Sequence, residues 1–471
     1  MRMPLTTGLV VSLLTGCMNL APNYQQPTAP IPSAWPAAAL AAGDNVAALP
    51  DWRVFLQDAR LRTLVEQALQ NNRDLRIATL NIERAQALYG ITSAAGLPRI
   101  DAGGSATRAR TPGGLTTSGN PGIADTFRAN LGVTAYELDF FGRVRNLSDA
   151  ALEDFLTTEQ SRRNVQISLV SSVAQAWLQV ATAEQRLVLA RETLQSQQRS
   201  YDLIRQAHAL GAQSGVALAQ AQTTVESARV QVATYDSLAE QGRNALALLI
   251  GAAPAAELLP TGAITQVSLL PVPPANLPSS VLQQRPDVLA AEHALRAANF
   301  NIGAARAALY PRISLTGSAG VASPTLGNLF EAGSRAWSLG PSVSLPIFDG
   351  GANRNNVKAV EAQQRIVLAQ YERTLQTAFR EVADALAERR TLAERLDAQR
   401  ALVAASQRSF DLAQALFKGG GGSYLDVLDA QRALYTAQQA LISLDLTEQA
   451  NRITLYKVLG GGWSEAAQSP A

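Results

Sequence analysis

One cysteine and two histidines in 471 residues leave little material for chemistry. A single Cys cannot form an internal disulfide, and no Cys/His cluster has metal-ligand spacing. His208 and His293 have no Ser or Cys nucleophile near them in sequence. The four glycines at 419–422 have no strand before them and no Lys-Ser/Thr after them, so they are no phosphate loop. Charge is scarce in one sense too: 40 Lys and Arg against 38 Asp and Glu leave +2, which gives no electrostatic case for nucleic acid. Long apolar runs are also missing. A membrane helix needs about 18 or more such residues, and the best stretch, 245–259, is broken by Gly251 and Pro254. A chain of this kind that crosses a membrane must cross it with strands.

The one cysteine is placed where it carries information. The start, MRMPLTTGLVVSLLTGCMNL, has a basic residue, a short apolar run and small residues before Cys17, the pattern of a secretory signal. Leu14-Thr15-Gly16-Cys17 resembles a bacterial lipobox, which implies Cys17 as the acylated first residue of the mature chain. Met18 after it is compatible with delivery to an outer membrane, where an Asp would imply inner-membrane retention. Residues 18–50 are rich in Pro and Ala and read as an extended tether.

What the chain does have is an internal repeat. Within the stretch 410–461, residues 410–460 lie without a gap on residues 201–251 after a shift of 209, with Asp411 on Asp202, Ser423 on Ser214 and Gly460 on Gly251. Earlier in each half the shift is 213, with Pro311-Arg312-Ile313 on Pro98-Arg99-Ile100. The layout predicted is a signal peptide at 1–16 and a lipidated tether at 17–57. A first repeat follows at 58–251, with a β-hairpin at 99–140 and a long helical hairpin at 143–251. A Pro-rich linker takes 252–280. The second repeat, 281–461, has its β-hairpin at 312–348 and its helical hairpin at 353–461, before a tail at 462–471.

The hairpin segments alternate. Phe127, Ala129, Leu131, Val133 and Ala135 face one way, as do Ile313, Leu315, Ala319 and Val321, and then Trp337, Leu339, Val343, Leu345 and Ile347. A soluble half-buried hairpin alternates too. Here, though, the second-half polar face is Ser, Thr and Gly instead of charge, and Trp337 and Phe348 end their strand like interfacial girdle residues. Four strands cannot close a barrel, because even about eight leave only a packed interior. Membrane strands would therefore require several copies of the chain. The following helices, about 143–208 and 353–418, each reach roughly 100 Å at about 1.5 Å per residue. Their apolar positions recur at three and four: Leu169, Val173, Trp177 and Val180 in one, Phe379, Val382, Leu386, Ala393 and Leu396 in the other.

At the second hairpin tip, Ser423 and Asp426 fit a helix cap. Asp429 stands one turn beyond Leu425 on the same face, with Arg432 a turn further. Around a symmetry axis, one Asp per chain makes an acidic ring and one Leu an apolar constriction. A plain intrahelical Asp429–Arg432 pair is the alternative. The first repeat carries Val216, Gln220 and Thr223 at these positions, without charge.

The runs YELDFFGRVRN, LQQRPDVLAAEHALRAANFNIGAARAALYPRISL, SVSLPIFDGG and SYLDVLDAQRALYTAQQ resemble the outer-membrane factor family, the TolC-like exit ducts, and in particular its OprM-type lipoproteins of multidrug efflux pumps. The resemblance spans Cys17 to about Trp463. It implies a membrane all-α plus β-barrel protein: a homotrimer whose barrel of about twelve strands, at four per chain, stands in the outer membrane on a long α-helical periplasmic tunnel. It implies as partners a periplasmic adaptor, an inner-membrane RND transporter driven by protons, and outer-membrane lipid. No cofactor is implied beyond the covalent lipid on Cys17. Leu425, Asp429 and Arg432 match the family's tip constriction. Gly211, Ala212, Gln213 and Ser214, with Gly419, Gly420, Gly421, Gly422 and Ser423, match its adaptor-facing end. Family tips carry one or two glycines with polar neighbours, whereas this one carries four.

The expectation is a passive duct for drugs and other small toxic compounds, not an enzyme. An outlet for type I protein secretion is the alternative within transport. A lipid-anchored periplasmic coiled coil is the alternative outside it, and would place charge on the outer faces of 99–140 and 312–348.

Overall fold

The structure is a computed structural model that describes residues 18–33, 35, 50–115, 120–260 and 279–462. The proposed lipid site at Cys17, most of the tail and the middle of the linker lie outside the described residues. Element order is α1 (Trp52–Phe55), α2 (Ala59–Asn71), α3 (Arg73–Ala94), β1 (Ile100–Thr111), β2 (Gly122–Glu137), α4 (Arg143–Ala209) and α5 (Gly215–Ile250). The second repeat supplies α6 (Pro286–Ala307), β3 (Arg312–Ser323), β4 (Arg335–Ser344), α7 (Ala352–Lys418) and α8 (Tyr424–Val458). The chain divides into two compact units, one of Met1–Thr28, Asn81–Glu159 and Ala290–Tyr371, the other of Ala29–Leu80, Gln160–Leu289 and Glu372–Ala471.

The first unit holds a four-stranded antiparallel sheet in the order β1-β2-β3-β4. Its register sorts the side chains into two faces. Trp337 stands opposite Ala319, Ala319 opposite Leu131, and Leu131 opposite Ala102. The next apolar row is Leu339, Gly317, Val133 and Ile100. On the other face Ser338 pairs with Ser318 and Ser342 with Ser314, their hydroxyls 2.9 and 2.7 Å apart. Both outer edges of the sheet, on β1 and β4, are unpaired among the described residues.

Two expectations about the strands need correction. Ala135 does not continue the apolar row of β2: a bulge lies between Val133 and Tyr136, Ala135 has φ 49°, and its N–H donates to Thr316 Oγ1 at 3.2 Å. The bulge hands the row to Tyr136, opposite Leu315. The last strand starts at Arg335 and stops at Ser344, so Leu345, Ile347 and Phe348 lie beyond it. Pro346 has no N–H to give a ladder.

The second unit is helical. Val173, Trp177 and Val180 are buried as expected, with Ala174 and Ala181 beside them. On α7 the buried positions include Leu375, Ala378, Val382, Ala385, Leu386, Leu392 and Leu396; Ala393, expected on that face, is exposed. Leu392 takes the place, one turn before Leu396, and packs with it and with Leu444 of α8. The repeat is visible in how the return helices end. Asn72 Nδ2 donates to Leu249 O at 2.9 Å, and Arg285 Nη1 donates to Val458 O at 2.7 Å. These are equivalent contacts, since 72 and 285 differ by 213 and 249 and 458 by 209. Arg285 is further held by Asp287 and Glu381, which compensates its burial.

The described residues of the tether make specific contacts. Phe55 stacks on Tyr456 with ring centroids 4.1 Å apart, and Trp35 stacks on Phe379 at 4.6 Å. Trp52 and Leu56 are buried with them. In the first unit Met18 N donates to Phe140 O at 3.1 Å, and Asn299 Nδ2 donates to Pro22 O at 2.7 Å. The expected linker is shortened in the same way: Leu258 O accepts from Trp177 Nε1 at 3.1 Å.

Phe55 is fully buried at 1% exposure, so Phe55→Ala should cost about 3–5 kcal/mol. The check is the guanidinium midpoint of the purified protein, with exposed Val54→Ala expected to leave it unchanged.

Candidate functional site

Both helical hairpins turn at glycine-containing tips in the second unit, and the two tips share one core. Ile204 of α4, Ala217 and Ala221 of α5, and Tyr424, Val427 and Leu428 of α8 are buried together, with Tyr201, Leu218, Phe410 and Phe417 packed around them. Tyr201 and Phe410 are equivalent positions of the two repeats. The paired aromatics were the available signal for this core, which periodicity alone did not single out. The Tyr424 ring lies 5.6 Å from that of Phe417, and burial pushes its hydroxyl above the ordinary tyrosine pKa.

The tips are pinned by caps. Ser214 Oγ accepts from Ala217 N at 3.2 Å, and His208 Nδ1 lies 2.8 Å from Gln213 O, so this histidine serves the turn between Gly211 and Ser214. Gly211 takes φ 75° and Ala212 N donates to Ala207 O at 2.8 Å. In the second tip Ser423 Oγ accepts from Leu425 N at 3.0 Å and Asp426 Oδ2 from Ser423 N at 3.3 Å, completing a capping box. The four glycines differ among themselves: Gly420 has φ 80°, whereas Gly419, Gly421 and Gly422 are not in the left-handed region.

Helix geometry separates the core from the candidate gate. Residues 424, 427, 428, 431 and 434 form the buried stripe of α8. At about 100° per residue, positions 425, 429 and 432 fall on a different face, and Leu425 is about half exposed. Asp429 and Arg432 are exposed and paired, Nη1 to Oδ1 at 3.3 Å. The chain thus forms the intrahelical pair and also presents Leu425, Asp429 and Arg432 together. Arg432 additionally borders a small cleft of about 180 Å³ with Gln197, Thr224, Gln431 and Tyr435. Val216, the equivalent of Leu425, is exposed in the same way on α5.

A membrane-type sheet with two open edges and paired 67-residue helices that end in capped tips are the parts of an outer-membrane duct. The family model described as "Outer membrane efflux protein" matches residues 64–252 and 277–461, and the chain belongs to that family. It is 44% identical over 465 residues to "Toluene efflux pump outer membrane protein TtgC" of Pseudomonas putida, covering 98% of this chain and 96% of the relative. "Antibiotic efflux pump outer membrane protein ArpC" of Pseudomonas putida matches with the same identity and coverage. Among solved structures, the open state of the Neisseria gonorrhoeae MtrE outer membrane channel superposes with TM-score 0.84 at 36% identity, covering 94% of this chain and 98% of that one. The chain is an outer-membrane efflux channel. Its sheet is a share of the barrel, and its long helices extend into the periplasm. No helix among the described residues is long and apolar enough to cross a membrane.

Gly420→Ala should destabilise the tip by roughly 1–2 kcal/mol, while Gly419→Ala is tolerated. Ser423→Ala should cost about 1 kcal/mol. Hydrogen exchange of the first-turn amides of α8 reads both changes, with protection falling roughly fivefold for Ser423→Ala.

Proposed function

We propose that three copies of the chain form the outer-membrane exit duct of a drug-exporting pump, docked through a periplasmic adaptor to a proton-driven inner-membrane transporter of the RND class. The observation that carries the reading is the sheet. Four strands with two free edges are not a stable membrane object, and three copies supply about twelve, enough to enclose a water-filled pore. The duct is passive, with energy and most selectivity residing upstream. At its periplasmic end the exposed Leu425, Asp429 and Arg432 of each copy converge as an apolar constriction under a charged ring. The tips at Gly211, Ala212, Gln213 and Ser214 and at Gly419, Gly420, Gly421, Gly422 and Ser423 face the adaptor. A lipid on Cys17 adds a second anchor to the barrel.

Cells lacking their own outer-membrane efflux channel should regain dye efflux when given this protein with its neighbouring adaptor and pump. No efflux, with trimer present in the outer membrane, would overturn the drug-pump reading in favour of protein export. In planar bilayers Asp429→Ala should raise leak conductance and lower cation preference. The preference change should shrink between about 0.1 and 1 M salt, as the screening length falls from about 10 to about 3 Å. Cys17→Ser should abolish incorporation of labelled palmitate while leaving the trimer intact.

A further inference from the structure

The first unit contains one strand-end contact that is filled and a second, related by the repeat, that is empty. The filled one lies at the base of the β2–β3 seam. Just after β2 the chain reads Leu138-Asp139-Phe140-Phe141, and the Phe141 ring stacks on Tyr310 with centroids 4.8 Å apart and planes at 23°. Tyr310 stands in the turn that leads into β3, immediately before Pro311-Arg312-Ile313. An aromatic leaving one strand is therefore seated on the turn entering the next.

The same two parts recur without each other. After β4 the chain reads Leu345-Pro346-Ile347-Phe348, which lies on Leu138–Phe141 with Phe348 at the place of Phe141 (numbers 207 apart). Before β1 it reads Leu97-Pro98-Arg99-Ile100, which lies on Tyr310 to Ile313 at the 213 shift. Phe348 is 92% exposed, Ile347 95% and Leu97 70%. Yet the segment bearing Phe348 is held firmly: Gly351 N and Asn353 N donate to the two Asp349 carboxylate oxygens at 2.8 and 2.9 Å, fixing the turn into α7. Ile347 and Phe348 together form an exposed apolar patch on a turn that is itself fixed, the kind of patch that marks an interaction surface. Within one chain the two halves cannot meet, because β1 and β4 are opposite edges of the sheet.

We infer that Phe348 of one copy seats on Leu97 of the next, repeating between chains the Phe141–Tyr310 contact made within each chain. The inference rests on the multi-copy reading above and names the contact that joins the copies at the barrel base. The two seams also differ in kind. At the internal seam Glu137 accepts from Arg143 at 2.7 and 2.8 Å and from Arg312 of the next strand at 2.6 Å. The corresponding pair at the outer seam is Ser344 and Arg99, and Arg99 already pairs with its own Asp101 at 2.8 Å. At the strand base the contact between copies is therefore apolar, without that charged clamp.

The test is thiol cross-linking in outer membranes with a short bismaleimide. Leu97→Cys/Phe348→Cys should run as covalent dimer and trimer on denaturing gels, while each single variant runs as monomer and reports any reaction through Cys17. Leu115→Cys/Phe348→Cys, with Leu115 exposed by the β1–β2 loop, should also stay monomeric. Native mass of the unmodified protein separates the possible failures. A trimer by native mass without a 97–348 cross-link overturns this contact alone, as does equal cross-linking of the control pair. A monomer by native mass overturns the multi-copy reading and the contact together. Phe348→Asp should lose the trimer that Phe348→Leu keeps.

Discussion

A backbone N–H or C=O facing hydrocarbon without a partner costs several kcal/mol, and the sheet of this chain has two rows of them. That requirement reaches through the rest of the molecule. It sets the need for further copies, since β1 and β4 have no neighbour of their own. It also explains the small residues within the strands. A Cβ at Gly320 would lie 2.2 Å from Ala129 O, so the β2–β3 ladder closes only because that position is bare. The polar face can be Ser, Thr and Gly because it looks toward a pore, where hydroxyls such as Ser314 and Ser342 satisfy one another.

At the hairpin tips the governing fact is a shared interior with unlike exteriors. The repeat makes Tyr201 and Phe410 equivalent and both serve one core. On the outside the halves diverge, with Leu425, Asp429 and Arg432 against Val216, Gln220 and Thr223. Packing tolerates such divergence because the stripe buried on α8 and the exposed stripe are separate faces of the helix. Duplication supplied the scaffold twice, and charge was placed on one copy only.

Much of this was legible because it is periodic. The long helices lack proline, their stripes follow three-and-four spacing, and the strands alternate, so each declares itself locally. What was hidden depended on distant partners or on single residues. Nothing local says that Trp35 will find Phe379, or Phe55 find Tyr456, so a Pro-rich stretch read as a loose tether. The bulge at Ala135 answers to Thr316, which is 181 residues away. The early end of β4 was visible in Pro346, but the alternation through Leu345 and Ile347 outweighed it. The proposed gate residues were readable as a helix face; the aromatic core that holds that face in position was not.

The unequal hairpins have a consequence for how such a tip opens. In the proposed ring of three chains, tips bearing Asp429 and Arg432 alternate with tips bearing Gln220 and Thr223 at those positions, so the charge at that level has threefold symmetry although the walls approach sixfold. In the proposed gate, Leu425 and Asp429 stand on the same first turns of α8. Any displacement of that helix start moves the two side chains together. In the proposed gate, size exclusion and charge exclusion are therefore coupled, because one helix start carries both.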